Sequence, residues 1–281
     1  MAKIIQKTRF YQEKTSFLHN PDGSKTFLLE VGDAANTAII LLHGIGADHA
    51  MWEPQRQVFA RQGYYVLTPD LLGHGRSSKV TTLELKDWDN QVIALLTQKG
   101  LSSCILLGVS MGGVIAQSFS INYPHMVKQL ILADTFATLS SWREKLLGFS
   151  QLMGFSIYKR LGAKALAKSM SHVYKMPFAK RARAYFIEKS ADVDFNQLIL
   201  ARKAINKIDA LQKIDGKEIT TLVLVGESFG KAFISINRKI AEGIEGSTFV
   251  ILKNAMDPSN LVNPEAFNRE CLDFLRHKAK V

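Results

Sequence analysis

Seven short apolar runs recur along the chain, and segments of helical periodicity separate them. Several runs are continuous stretches of Ile, Leu and Val, which are typical of strands buried on both faces of a parallel sheet. The predicted strands are residues 26–31, 38–43, 64–69, 104–108, 129–134, 220–225 and 248–252. The predicted helices between and after them are residues 51–62, 83–99, 113–123 and 264–278. This alternation predicts an α/β protein with a doubly wound, mostly parallel sheet.

The alternation stops after Asp134 and resumes only at Thr220. Between them, apolar residues such as Leu147, Ile157 and Leu161 recur at helical spacing. We therefore predict an α/β core made of residues 1–134 and 215–281, with residues 135–214 inserted as a helical cap. A cap of this kind covers an active site and influences the choice of substrate.

Charge is distributed unevenly between the two predicted parts. The chain carries a formal charge of +11, and residues 135–214 contain 15 basic and five acidic residues, which leaves +1 for the remainder. Most of these lysines are expected to be solvated. A functional interpretation of the basic cap is attraction of an anionic ligand, an acidic partner or a membrane surface. Nucleic acid is not expected, because no basic stripe is interleaved with aromatic residues.

Amino-acid composition further limits the class of protein to which the chain can belong. The chain is 281 residues long and 47% apolar, which indicates a globular protein, and no apolar run approaches the ~20 residues of a transmembrane helix. Residues 1–7 lack the long apolar stretch of a signal peptide. Cys104 and Cys271 have no metal-ligand spacing, and a cytoplasmic location is expected. We expect no metal and no cofactor, since Gly73-His74-Gly75 is not a dinucleotide fingerprint.

The strongest chemical motif is Gly108-Val109-Ser110-Met111-Gly112, between a predicted strand and a predicted helix. A serine on a sharp strand-to-helix turn exposes its hydroxyl, and the helix N-terminus behind it favours developing negative charge. We interpret Ser110 as a nucleophile. A second Gly-x-Ser-x-Gly pattern, around Ser228, also follows an apolar strand.

Four motifs in sequence resemble those of the α/β-hydrolase superfamily in its capped, single-chain form. They are residues 43–46 (His-Gly-Ile-Gly), 70–77 (Asp-Leu-Leu-Gly-His-Gly-Arg-Ser), 108–112 and 263–268 (Asn-Pro-Glu-Ala-Phe-Asn). The resemblance implies that the backbone amides of Ile45 and Met111 form an oxyanion hole, with Gly44 leaving room for the ligand. Trp52 either lines the pocket or packs in its helix.

The resemblance also implies a catalytic triad that this chain lacks. The family's aspartate position reads Phe229, and its histidine position reads Asp257. An ordinary aspartate is a weaker base than imidazole, although burial raises its pKa and Phe229 helps to exclude water. Asp134 ends a predicted strand and is an alternative acid. Among the histidines, His49 and His172 are the candidates that could approach the site.

Three interpretations remain open. The first is a hydrolase of small apolar esters, or of related acyl or C–C bonds, that uses Ser110 with Asp257 as a non-standard base. The second is a ligand-binding or regulatory protein that kept the pocket and lost turnover. The third is an enzyme of the same fold whose reaction needs no triad, with Asp257 handling protons. A small molecule is the expected substrate or ligand in all three.

Overall fold

The computed structural model describes residues 10–277, apart from the side chains of residues 143, 147 and 277. An eight-stranded sheet has the order β1-β2-β4-β3-β5-β6-β7-β8. The strands are β1 (Lys14–His19), β2 (Lys25–Val31), β3 (Thr37–Leu42), β4 (Tyr64–Pro69), β5 (Cys104–Val109), β6 (Val127–Ala133), β7 (Thr220–Gly226) and β8 (Thr248–Leu252). All pairs among strands β3 to β8 are parallel. Strand β2 pairs antiparallel with both of its neighbours, β1 and β4. The predicted mostly parallel α/β fold is confirmed.

Strand β1 is absent from the prediction. It lies at the sheet edge, and most of its residues are exposed, so that its sequence (Lys-Thr-Ser-Phe-Leu-His) lacks the apolar run of a buried strand. Its register with β2, in which Phe17 lies opposite Phe27, is set by antiparallel pairing instead. The strand therefore forms from backbone pairing with a neighbour, which local composition does not reveal.

Helices cover both faces of the sheet. Those described are α1 (Glu53–Arg61), α2 (Leu85–Gln98), α3 (Met111–Asn122), α4 (Trp142–Leu161), α5 (Ala163–Val173), α6 (Lys180–Lys189), α7 (Phe195–Ile205), α8 (Lys231–Glu242), α9 (Ser259–Val262) and α10 (Pro264–His277). Ile40 of β3 packs with α2, α3 and α8, whereas the adjacent Ile39 packs with α1 and α10. This alternation produces two hydrophobic layers, one on each side of the sheet.

Residues between β6 and β7 contain helices α4 to α7 and short 3₁₀ turns, with one isolated bridge between Thr138 and Asp209. The last of these helices is integrated with the core, because Ala201, Ala204 and Ile205 of α7 pack in the same hydrophobic layer as α3. We call residues 135–214 the insertion.

Two predictions fall on residues that the structure leaves out. Residues 1–7, used above against a signal peptide, and Lys278, the predicted end of the last helix, lie outside the described residues. Within the described helices, none is both long enough and apolar enough to cross a membrane.

Candidate active site at the carboxyl ends of β5, β6 and β8

Ser110 lies at the turn between β5 and α3. Its φ of 55° and ψ of −116° are unusual for a residue with a side chain. The turn is tight because small residues flank it. A Cβ at Gly108 would lie 2.1 Å from the carbonyl oxygen of Gly112, and one at Gly112 would lie 2.0 Å from that of Leu42. Glycine at these two positions lets α3 approach the sheet closely. The Ser110 hydroxyl therefore lies at the carboxyl edge of the sheet.

Two backbone N–H groups beside Ser110 lack an acceptor. Met111 begins α3, and Ile45 lies in the turn after β3, and neither amide donates to an oxygen of the described residues. Gly44 brings the second loop close, since a Cβ placed there would lie 3.5 Å from the Ser110 Cβ. Two free donors at a helix N-terminus form an arrangement that can hold an oxyanion.

Asp257 lies on the loop after β8 and faces Ser110. The Ser110 hydroxyl lies close enough to the Asp257 carboxylate to lower its pKa. Both residues line one cavity, and Asp257 keeps only a minor part of its surface open to it. A carboxylate close to a serine hydroxyl can accept its proton.

Asp134, at the end of β6, forms hydrogen bonds with the loop that carries Asp257 and with the end of β7. It is 1% exposed and has a positive φ of 49°. Its Oδ1 accepts a 2.8 Å hydrogen bond from the Gly226 N–H, and its Oδ2 accepts one of 2.7 Å from the Ser259 N–H. One buried carboxylate therefore connects the ends of β6 and β7 to the loop that carries Asp257.

The two carboxyl groups perturb each other. Burial raises the pKa of Asp257 well above its usual range, the charge of Asp134 raises it further, and the Ser110 hydrogen bond opposes both effects. Burial also raises the pKa of Asp134, against hydrogen bonds from Ser259 and Gly226 that favour its ionised form. Because Asp134 has these donors, we infer that Asp257 is the weaker acid of the pair. Asp257 therefore binds a proton first as the pH falls.

The cavity above Ser110 has a volume of about 320 Å³. Its walls come from the core and from α4, α5 and α6, and they are mainly apolar, with Met51, Phe155 and Phe186 among them. Phe229 lies at the cavity, but it is 40% exposed and packs against Phe233, so it covers the site only in part.

Trp52 is not a pocket residue, which corrects one of its two interpretations. It is fully buried and packs against Phe267 of α10, whereas the preceding residue, Met51, lines the cavity. The segment starts as a 3₁₀ turn, His49–Trp52, before α1 begins. Adjacent side chains in a 3₁₀ turn diverge by about 120°, so this turn directs one side chain to the cavity and the next to the core.

A tyrosine that the sequence did not single out also contacts the site. Tyr174 ends α5, and its hydroxyl donates a 3.1 Å hydrogen bond to the backbone carbonyl of Asp257. Its ring stacks on Phe186 of α6 at 5.3 Å. A bond between residues 83 positions apart leaves no local sequence signal, so only the folded chain reveals it.

The histidines near the site have other roles. His43 is buried, donates from Nδ1 to the Gly44 carbonyl, and accepts at Nε2 from the Leu71 N–H, so that both ring nitrogens are occupied. Burial lowers the pKa of His74 to about 3, with a further effect of His43. His49 contacts Asp70 at 2.8 Å. His172, a candidate from the sequence, is exposed on α5 and does not line the cavity. No histidine of the described residues lines the cavity.

The second serine motif lacks the geometry of the first. Ser228 is exposed in a 3₁₀ turn, Glu227–Phe229, and it is absent from the cavity wall. Its N–H donates to the Ala255 carbonyl, and Gly230, with a φ of 102°, separates the turn from α8. No helix N-terminus therefore lies directly behind this serine.

No group of three or more His, Cys, Asp or Glu residues within residues 10–277 is placed to hold a metal ion. Lys189 and Gln151 are the cavity residues with long polar side chains, and the Lys189 ammonium is paired with Asp48 at 2.7 Å. Ser110, Asp257 and the two backbone amides are the polar groups gathered at the turn after β5.

Comparisons with known proteins agree with this architecture. Among curated proteins, the chain is 26% identical over 245 residues to 3-oxoadipate enol-lactonase 2 of Acinetobacter baylyi, covering 84% of this chain and 88% of that one. It is 29% identical to lipase 1 of Psychrobacter immobilis over 232 residues, covering 80% and 73%. Among solved structures, an esterase from Exiguobacterium antarcticum superposes with a TM-score of 0.81 at 21% identity, covering 94% of this chain and all of the other.

The esterase structure establishes likeness of fold. A family model described as the alpha/beta hydrolase fold matches residues 37–184, which is more than half of the chain. That segment contains the Ile45 loop, the Ser110 turn and Asp134, which together build the edge of the sheet described above. The chain therefore belongs to the α/β-hydrolase fold family.

Proposed function

We propose that this protein hydrolyses small apolar carboxylic esters, with Ser110 as the nucleophile and Asp257 as the general base. The observation that carries the proposal is the Ser110 hydroxyl facing Asp257 in an apolar cavity, next to two N–H groups without acceptors. Nucleophile, base and oxyanion donors are the three components that acyl transfer needs. The lipase, enol-lactonase and esterase relatives support the same class of reaction.

The first half of the reaction transfers the acyl group to the enzyme. Ionised Asp257 takes the Ser110 proton as Oγ attacks the ester carbonyl, and the resulting oxyanion accepts hydrogen bonds from the Ile45 and Met111 amides. The C–O bond to the alcohol then breaks, and Asp257 returns its proton to the departing alkoxide. In the second half, water loses a proton to Asp257 and attacks the acyl-enzyme. Collapse of that intermediate releases the acid and restores the Ser110 hydroxyl.

Asp134 is a positioning residue in this scheme. It contacts the Gly226 and Ser259 backbones and acts on the reaction only through Asp257. Its negative charge raises the pKa of Asp257, which makes Asp257 a stronger base once ionised. A serine–carboxylate pair still lacks imidazole, whose general-base contribution is typically ~10²–10⁴ in rate. We therefore expect slow turnover relative to a serine hydrolase that has the full triad.

The cavity favours a short substrate. Its volume of about 320 Å³ is at the small end of ligand pockets. Apolar side chains such as Phe155, Leu166 and Met170 form much of its wall, and the one lysine there is paired with Asp48. Acetyl and butyryl esters of a neutral alcohol match this size and polarity.

The test is hydrolysis of p-nitrophenyl acetate and butyrate by the purified protein, Ser110→Ala and Ser228→Ala. Ser228 is the matched control, because it lies in the other Gly-x-Ser-x-Gly sequence and is exposed outside the cavity. We expect Ser110→Ala to lose activity to the background rate and Ser228→Ala to retain it. A serine-reactive phosphonate should label Ser110, as peptide mapping would reveal.

Two outcomes would contradict the proposal. Equal loss in both serine variants would mean that Ser110 is not the nucleophile. Absence of turnover in the parent protein, together with thermal stabilisation by a butyrate ester in excess, would instead indicate a binding protein.

A further inference from the structure

Helix α4 presents an apolar stripe to solvent. Leu146, Phe149, Met153, Ile157 and Leu161 recur at spacings of three and four residues, which places them on one face of the helix. All five are exposed, and the accessible fractions of Phe149 and Leu161 are 58% and 62%. The stripe extends about 22 Å along the helix axis at 1.5 Å per residue.

The stripe is not the side of α4 that faces the protein. Gln151, Gly154, Phe155 and Tyr158 of the same helix line the cavity above Ser110. At about 100° per residue, these four residues centre roughly 130° around the helix from the stripe. A surface helix normally directs one apolar face inward and a polar face outward. Because α4 is also apolar outward, this second face is available for contact with another molecule.

Charge around the stripe identifies the partner's chemistry. Residues 145–187 contain nine basic residues and no acidic residue. Lys159, Arg160, Lys164 and Lys168 on α4 and α5 are exposed, and none of them forms an ion pair with a described residue. A partner that covers the stripe must therefore carry negative charge next to an apolar layer.

A second copy of this chain does not match that requirement, because two basic helices would repel each other. A protein partner would need a long groove to accept the convex helix, together with acidic residues on both sides of it. An anionic lipid surface offers an apolar layer beneath negative headgroups, and it deforms around the helix.

We propose that α4 binds in the plane of an anionic membrane surface, with its apolar stripe below the headgroups and the basic residues among them. The membrane would then lie against the outer side of the helix that covers the cavity. This inference is independent of the proposed esterase activity, since it concerns a different face of α4 and does not involve Ser110 or Asp257.

The test is sedimentation of the full-length protein with phosphatidylcholine vesicles that contain about 30 mol% phosphatidylglycerol, which gives them a negative surface. We expect binding that decreases in high salt and is at least tenfold weaker to pure phosphatidylcholine. Phe149→Ser with Met153→Ser should weaken binding at least tenfold, and so should Lys159→Glu with Arg160→Glu.

Each variant has a matched control. Phe10→Ser with Ile251→Ser removes two exposed apolar side chains outside the insertion, and Lys25→Glu with Lys86→Glu makes the same charge change on β2 and α2. Both controls should bind vesicles like the parent. Thermal melting of all four variants checks that loss of binding does not come from unfolding.

A second measurement locates the contact. Trp142, at the start of α4, is 69% exposed, whereas the other two tryptophans, Trp52 and Trp88, are fully buried. Brominated lipids should therefore quench Trp142 fluorescence on binding. The proposal is overturned if the stripe variant still sediments with vesicles, or if binding ignores lipid charge. It is also overturned if the parent is a dimer in solution that the stripe substitutions dissociate, since a second copy would then cover α4.

Discussion

Asp134 holds the backbone of Ser259, two residues after Asp257, through a 2.7 Å hydrogen bond from the Ser259 N–H to Oδ2. The bond places a buried carboxylate behind the residue that faces Ser110. In the proposed mechanism, Asp134 therefore stands behind a general base that is a carboxylate, where the resemblance to the family implies an imidazole.

Substitution Asp257→His should therefore increase esterase activity by itself. The imidazole would lie between the Ser110 hydroxyl and Asp134, which would orient it and stabilise its protonated form. We expect kcat/KM for p-nitrophenyl butyrate to rise by at least ~10², the lower range of general-base catalysis. The double substitution with Asp134→Asn is the control and should lose most of the gain. An equal gain in the double variant would mean that Asp134 does not orient the new base.

The activity of the unaltered protein should increase with pH. Burial and the charge of Asp134 raise the pKa of Asp257, and only the ionised carboxylate accepts the Ser110 proton. Initial rates with p-nitrophenyl acetate between about pH 5 and 9, corrected for spontaneous hydrolysis, should follow that ionisation. Asp257→Asn should have low activity without this pH dependence. A profile that falls as pH rises would exclude Asp257 as the base.

Stability should show the opposite trend. An aspartate whose pKa is raised in the folded state favours folding at low pH, and this contribution disappears as pH rises through the folded pKa. Each pKa unit corresponds to about 1.4 kcal/mol in the free energy of unfolding. Asp257→Asn should therefore be more stable than the parent at pH 8, and the difference should shrink towards pH 4 in urea titrations. Asp192→Asn, at an exposed position, controls for the loss of one carboxyl group.

Selectivity for acyl length should depend on Phe155 and not on Trp52. Phe155→Ala removes a ring from the cavity wall, whereas Trp52→Phe changes the core contact with Phe267. A buried methylene is worth about 0.8 kcal/mol, so two further methylenes should shift the hexanoate-to-butyrate ratio of kcat/KM by about tenfold in Phe155→Ala. Trp52→Phe should lower the melting temperature and leave that ratio unchanged. A similar shift in both variants would place Trp52 at the cavity after all.

The strands of the sheet interior and the Ser110 turn could be predicted because each has a local cause. Strand β5 is a continuous apolar run, and Gly108 and Gly112 are required by contacts within a few residues or with the adjacent strand. The contacts of Asp134 could not be predicted in this way, since its partners are 92 and 125 residues away. The sequence also could not show which of Met51 and Trp52 faces the cavity, because their directions depend on where a 3₁₀ turn becomes an α-helix.

The hydrogen bond from the Tyr174 hydroxyl to the Asp257 carbonyl connects the wall of the cavity to the loop that carries Asp257. Tyr174 is attached to both α5 and α6, since it directly follows the first helix and stacks on Phe186 of the second. A displacement of these helices that widens the entrance would also release the main chain of Asp257. The position of the Asp257 main chain therefore depends on how α5 and α6 pack over the cavity.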